Sequence, residues 1–416
     1  MAVDYPEGRC PVITGIGALT PVGNDIQTLW EHLVAGRSGI QRITAFDTRN
    51  IGVKVAGQIA FNPAEHLEAK DARRMSRDSQ LAQVAARLAI RDANLTNADL
   101  APIAERVGVV MGTTLGGYEI GIRQIMPFPQ KRIGPFALLN SLPNLPAYYM
   151  AREIGAEGPS LTLSNACASG TLAVGEAAEL IRRGMADVVL AGGVEALIEE
   201  CLLAGLESMG VMALGFEDNP AAACRPFDAN RSGLVYSEGA AVLVIESRAH
   251  ALARGARQYA EIVGLGMTTD ITSPAIPDPS AKPGRVAMHV ALRDANLSPN
   301  DIDYINPHGA GTKGDAAETL AIKQVFGPRA YQIPISSTKS MLGHSMGATG
   351  AVETAVCALT LAHGLIHPTI NYQTPDPECD LDYVPNEARK AEINVVMCNN
   401  NGLGGQYATL ILKRPS

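Results

Sequence analysis

The chain has 416 residues, 46% of them hydrophobic and 18% charged, with 41 glycines and a formal net charge of −8. Such a composition can bury a large core and excludes a disordered or fibrous protein, while the acidic balance and the lack of any basic run argue against a nucleic-acid binder. Seven cysteines, odd in number, scattered and never spaced C-x-x-C, point away from a disulfide framework or a zinc centre and toward a reducing cytosol.

The opening stretch from Met1 to Glu7 contains two acids and lacks the apolar core of a secretory signal. Short β-branched runs then recur at 11–16, 107–111, 160–163, 187–190, 241–245, 260–263, 302–305, 333–335, 393–397 and 409–412, separated by Ala- and Leu-rich segments of helical spacing. This alternation predicts an α/β layered fold with buried sheets. The longest apolar stretch, 351–366, is interrupted by Glu353 and His363 and falls short of the roughly 20 residues that cross a bilayer. No membrane span is expected.

Two segments read as loose copies. Cys167-Ala-Ser-Gly170 leads into a small-residue helix at 171–183 ending at Gly184, and His344-Ser-Met-Gly347 leads into one at 348–363 ending at Gly364. If this reflects duplication, the chain divides into halves 1–255 and 256–416. No linker or charge block separates them, so they are expected to form one body.

Three stretches could carry chemistry. Residues 160–170 read as strand, sharp turn and helix, placing the Cys167 thiol at a helix N-terminus, where backbone N–H groups and the macrodipole would favour thiolate. The same sulfur could equally be a small buried hydrophobe. His308 ends an apolar strand in a Gly-rich loop, and His344 stands at the mouth of a helix; both are acid–base candidates, although a lone histidine is more often structural. Lys339, five residues before His344, could orient an imidazole, could pair with a carboxylate such as Glu318, which it needs if it is buried, or could be an exposed lysine on a loop. Near the C-terminus, Gly402-Leu-Gly-Gly405 could bring a backbone N–H of Leu403 to a reacting carbonyl, or could be only a tight turn.

Taken together, six blocks in order resemble the elongating β-ketoacyl-acyl-carrier-protein synthases of the thiolase-fold superfamily: residues 12–23, Asn165-Ala-Cys-Ala-Ser-Gly170, Arg225-Pro-Phe-Asp228, Asn306-Pro-His-Gly309, Ser337-Thr-Lys-Ser-Met-Leu-Gly-His344 and Gly402-Leu-Gly-Gly405. The resemblance covers nearly the whole chain. It implies a five-layered αβαβα fold of two similar halves and a decarboxylative Claisen condensation. Cys167 would carry an acyl group, and His308 and His344 would act on a malonyl thioester. Lys339 and Glu318 would support them, and the N–H groups of Cys167 and Leu403 would hold oxyanions, with the Leu403 side chain as a gate. No metal or redox cofactor is implied, because substrates travel on the phosphopantetheine of an acyl carrier protein.

The resemblance also implies a cytoplasmic dimer paired through 160–165, with itself or with a homologous chain-length-factor-like subunit. Leu197, Leu202 and Leu206 fall at acyl-pocket positions, and Ala137 where a partner subunit usually contributes an aromatic residue. Thr312 and Ala310 fall at pantetheine positions, and Arg73, Arg74, Lys131 and Arg132 in the carrier-docking region. The sequence departs from the family pattern at Ala310, where threonine is usual, at Ser232, where a carboxylate is usual, and at Asn401 and Leu403, where phenylalanines are usual. A specialised acyl substrate of a polyene or polyketide-like pathway would account for these changes. Three other readings compete: a non-condensing partner subunit, a malonyl-thioester decarboxylase, and a thiolase. The last would need a second cysteine in the C-terminal glycine block.

Overall fold

A computed structural model describes residues 6–415. The opening segment, on which the expectation about a secretory signal rests, lies mostly outside the described residues. Nine strands form one continuous sheet system: β1 (Pro11–Leu19), β2 (Val107–Gly112), β3 (Ser160–Leu163), β4 (Val188–Glu195), β5 (Gly239–Ser247), β6 (Ala260–Thr269), β7 (Tyr304–Asn306), β8 (Val395–Gly402) and β9 (Gln406–Lys413). Their order is β3-β2-β4-β5-β1-β6-β9-β8-β7.

This order contains a repeat. In the first half the sequence of neighbours is first strand, last, penultimate, second, third (β1, β5, β4, β2, β3). In the second half it is β6, β9, β8, β7 and then the 333–335 segment. The predicted strand at 333–335 is reduced to a single bridge between Ile335 and Ile305. The halves join where β1 meets β6, at Val12 opposite Glu261 and Ile13 opposite Ala260.

The helices that position the site include α1 (Arg77–Asp92), α2 (Leu145–Ile154), α3 (Ser169–Arg182), α4 (Glu200–Ser208), α5 (Lys282–Asp294), α6 (Gly314–Phe326) and α7 (Thr349–His363). Strand alternation assigns the layers. Val188, Leu190 and Val194 pack outward with α1 and α2, whereas Val189 and Ala191 pack inward with α3 and α7. In the second half, Val396 and Cys398 face the same central layer, and Val395 and Met397 face α5 and α6. The result is the thiolase-like five-layered α/β arrangement, with two buried helices in the middle.

Because both faces of α3 and α7 are enclosed, their crossing admits only small residues. A Cβ on Gly170 would lie 2.6 Å from the Ala351 nitrogen, and one on Gly350 would lie 2.0 Å from Thr171 Oγ1. That close packing explains the small-residue composition of both segments. It also brings their N-terminal ends, which follow Cys167 and His344, to one place. Among the described residues, no helix is long and apolar enough to cross a membrane.

Candidate active site

Cys167 sits on a tight turn between β3 and α3. Ala166 is held at φ +49°, and the Ser169 hydroxyl staples the turn by accepting the Asn165 N–H (2.7 Å) and donating to the Ala166 carbonyl (2.6 Å). The thiol is 4% exposed. Burial pushes it up to about 12, opposed by Lys339 and by the N–H groups of Leu403 and Cys167 itself. The lowered thiol expected from the helix N-terminus is therefore not what the resting site holds: desolvation outweighs the local dipoles.

His308 and His344 lie edge to face, with ring centroids 5.1 Å apart. His308 follows β7 on a loop fastened by Glu318, whose carboxylate accepts the N–H groups of His308 and Gly309 at 2.8 Å each. His344 is buried, its backbone N–H donating to the Val235 carbonyl at 2.7 Å. Each ring has its Nδ1 occupied as an acceptor. The Asn401 N–H donates to His308 Nδ1 (3.4 Å), and the Met346 N–H donates to His344 Nδ1 (3.2 Å). The assigned tautomer of both rings therefore carries its proton on Nε2. Burial, reinforced by Lys339, holds both imidazoles well below their usual range, so they are neutral donors at pH 7.

Sequence reasoning expected Lys339 to pair with Glu318. The structure corrects this: Lys339 Nζ donates to Glu353 Oε1 at 2.6 Å, with both side chains buried. Glu318 is engaged by backbone N–H groups, and burial raises it to about 7 against those hydrogen bonds. Glu353 was visible as the lone acid in the apolar stretch of α7, but its partner lies on a turn that only tertiary packing brings near.

The C-terminal glycine block reaches Cys167 directly. A Cβ on Gly402 would fall 2.6 Å from the Cys167 nitrogen and 2.8 Å from Ala166 Cβ, so glycine is required for this approach. Leu403 offers its N–H to the thiol, and the residue is 37% exposed.

Leu197, Leu202 and Leu206 form one apolar cluster with Cys167, together with Ala310, Leu203, Met212 and Met346. Ala137 does not join it; it is buried in a short helix, Ala137–Asn140, among exposed apolar residues. The Thr312 hydroxyl accepts the Gly314 N–H at the start of α6. Arg73, Arg74, Lys131 and Arg132 are all exposed, and Arg74 lies over the Phe136 ring at 5.0 Å, linking the two basic segments. At the Ser232 departure, Arg231 finds its carboxylate elsewhere, in Asp376.

A buried thiol with two backbone N–H groups at its sulfur, and a pair of neutral Nε2–H imidazoles 5.1 Å apart, can stabilise negative charge on oxygen without a charged acid or base. The comparisons agree on what such a site belongs to. Residues 11–251 match the family described as "Beta-ketoacyl synthase, N-terminal domain", and residues 259–373 match "Beta-ketoacyl synthase, C-terminal domain". The chain is a member of the β-ketoacyl synthase family.

This synthase is 44% identical over 408 residues to "3-oxoacyl-[acyl-carrier-protein] synthase 2" of Staphylococcus aureus, covering 97% of the chain and 98% of that relative. Two solved structures superpose over 98% of the synthase and 100% of their own chains. One is the ishigamide ketosynthase/chain length factor (34% identity, TM-score 0.89). The other comes from a type II polyketide synthase acyl-carrier protein in complex with its ketosynthase (30% identity, TM-score 0.91). The synthase is accordingly a condensing acyltransferase of the 3-oxoacyl-acyl-carrier-protein synthase type.

Proposed function

We propose that Cys167 is the acyl-carrying nucleophile, that His308 and His344 act on the malonyl unit, and that a full turnover runs in two stages. In the first, Cys167 Sγ attacks the carbonyl carbon of an acyl thioester on a carrier-protein phosphopantetheine. The carrier's thiol departs with the proton lost by Cys167, and the oxyanion is held by the N–H groups of Cys167 and Leu403. In the second, a malonyl thioester loses its carboxylate as CO2, and the electron pair left on the α-carbon delocalises onto the thioester oxygen. The Nε2–H groups of His308 and His344 would donate to that oxygen, an interaction that strengthens as charge develops. The carbanion then attacks the acyl carbon on Cys167, releasing a 3-oxoacyl thioester and a sulfur that regains a proton.

The carrying observation is the pair of imidazoles, 5.1 Å apart, whose Nδ1 atoms both accept backbone N–H bonds, so that Nε2 carries the proton on each ring. The scheme calls for no metal or redox cofactor. Lys339 and Glu353 hold the histidine side of the site, Leu197, Leu202 and Leu206 line the acyl pocket, and Ala310 and Thr312 flank the pantetheine path.

We assign acyl carrier protein as a partner, docking on Arg73, Arg74, Lys131 and Arg132, and a dimer with itself or with a chain-length-factor-like subunit, in the cytoplasm. The ketosynthase/chain length factor and ketosynthase–carrier complexes among the similar structures support these partners. The departures at Asn401 and Leu403 favour a specialised polyketide or polyene acyl chain over a general fatty-acid substrate. The test is turnover with acyl- and malonyl-carrier proteins. One CO2 released per 3-oxoacyl thioester supports the scheme, and CO2 without condensed product favours the decarboxylase reading.

A further inference from the structure

Asp78 on α1 and Glu195 at the end of β4 are each 1% exposed. Among the described residues neither forms an ion pair: the nearest guanidinium, Arg77, is committed to Glu238 through contacts of 2.6 and 2.8 Å. Glu195 is held by three backbone donors, with the Thr114 hydroxyl beside them. Its Oε2 accepts the Thr114 N–H (2.7 Å) and the Gly347 N–H (3.1 Å), and its Oε1 accepts the Leu115 N–H (3.1 Å). Asp78 Oδ2 accepts the Gly117 N–H at 3.0 Å, and the carboxyl also lies against the Ala196 N–H, next to Glu195 in the chain. Two buried carboxylates fastened to the same 113–117 loop, with the neighbouring guanidinium already committed to Glu238, cannot both stay ionised without a large electrostatic cost.

We propose that Asp78 and Glu195 share a single proton within the fold, and that this proton holds the turn that positions His344. The connection is short. Glu195 fixes Gly347, the neighbouring Met346 sits at φ +43°, and the Met346 N–H sets the His344 tautomer. The same glutamate also fixes the 113–117 loop. Losing the shared proton would set two like charges against each other at the point where loop and turn are fastened together. Asp78 and Glu195 are positioning residues here; neither touches substrate.

The other charged and titratable groups around the pair are Glu119 on the helix after the loop, Arg77 beside Asp78, Glu238, the Cys167 thiol, which Glu195 also pushes up, and the buried Tyr236, whose phenol is pushed up first by burial and then by Glu195, Asp78 and Glu238. Burial first and Glu195 second raise Asp78 to about 8. Its unfolded value is near 4, so between about pH 4 and pH 8 the folded state holds a proton that the unfolded state has lost, and stability falls as pH rises through that window.

The proposal rests on the catalytic reading of His344, so its test uses two readouts on the full chain. Asp78→Asn keeps a neutral donor at every pH. Its melting temperature minus that of the unaltered protein should climb from pH 5 to pH 8 and then level, and this needs no activity. The ratio of variant to unaltered rates of malonyl decarboxylation, measured in a Cys167→Ala background so that thiol ionisation plays no part, should rise about tenfold between pH 7 and pH 9. A pH-independent melting difference would overturn the shared proton. A flat rate ratio beside a climbing melting difference would overturn the link to His344. Absence of any decarboxylation by the Cys167→Ala protein would count against the catalytic reading instead, leaving the melting comparison to decide the proton.

Discussion

Lys339 and Glu353 meet at 2.6 Å with side chains only 1% and 2% exposed, and the Lys339 charge acts on both histidines. A buried pair of this kind is weak evidence for net stability, but removing one member strands the other charge. Glu353→Gln should therefore destabilise the protein by about 3 to 5 kcal/mol in chemical denaturation. Glu318→Gln, which leaves Lys339 paired, should cost only about 1 to 3 kcal/mol, the value of weakened hydrogen bonds to a carboxylate. Equal costs would mean that Lys339 divides its charge between the two acids.

The histidines should be neutral Nε2–H tautomers throughout the working range. Because burial and Lys339 lower both, neither should take up a proton as pH falls from 8 to 6, and nitrogen NMR of labelled histidine reads this directly. Replacing His308 or His344 by alanine should slow malonyl decarboxylation by about a hundredfold to a thousandfold while leaving the acyl adduct on Cys167 detectable.

Gly402→Ala tests the oxyanion geometry. The added methyl would sit 2.6 Å from the Cys167 nitrogen, closer than real contacts allow, so the 402–405 loop has to move and take the Leu403 N–H away from the sulfur. Condensation should fall by about a hundredfold or more, as for loss of one oxyanion donor, with the melting temperature little changed.

The edge strand β3 exposes Leu161 (39%), and the preceding segment exposes Met126 (59%), Phe128 (62%), Leu138 (70%) and Tyr148 (53%). So much apolar surface at an open sheet edge marks an interface. Sedimentation should show a dimer for the unaltered chain, and a Leu138→Asp/Leu161→Asp double variant should shift it to monomer and lose condensation.

What the sequence made legible was local. The strand runs, the paired small-residue segments and the blocks around Cys167, His308 and His344 are patterns within about ten residues, and the layered fold follows from their alternation. What it concealed depends on packing between distant segments. The helix start that should acidify Cys167 is visible in Cys167-Ala-Ser-Gly170, but the desolvation that overrides it comes from α4 and the 402–405 loop. Glu353 stood out as an acid in an apolar helix, yet its pairing with Lys339 requires α7 to lie against the 337–343 turn. Segment 333–335 has a strand's composition, but its partner β7 is three residues long, too short to extend a ladder.

The central claim is that Cys167 carries the growing chain, and intact-mass measurement after incubation with acyl-carrier proteins of several chain types tests it most directly. The account predicts an acyl adduct that is lost in Cys167→Ala and discharges to a 3-oxoacyl product when malonyl-carrier protein is added. An adduct that survives Cys167→Ala, or none with any acyl chain, would contradict it.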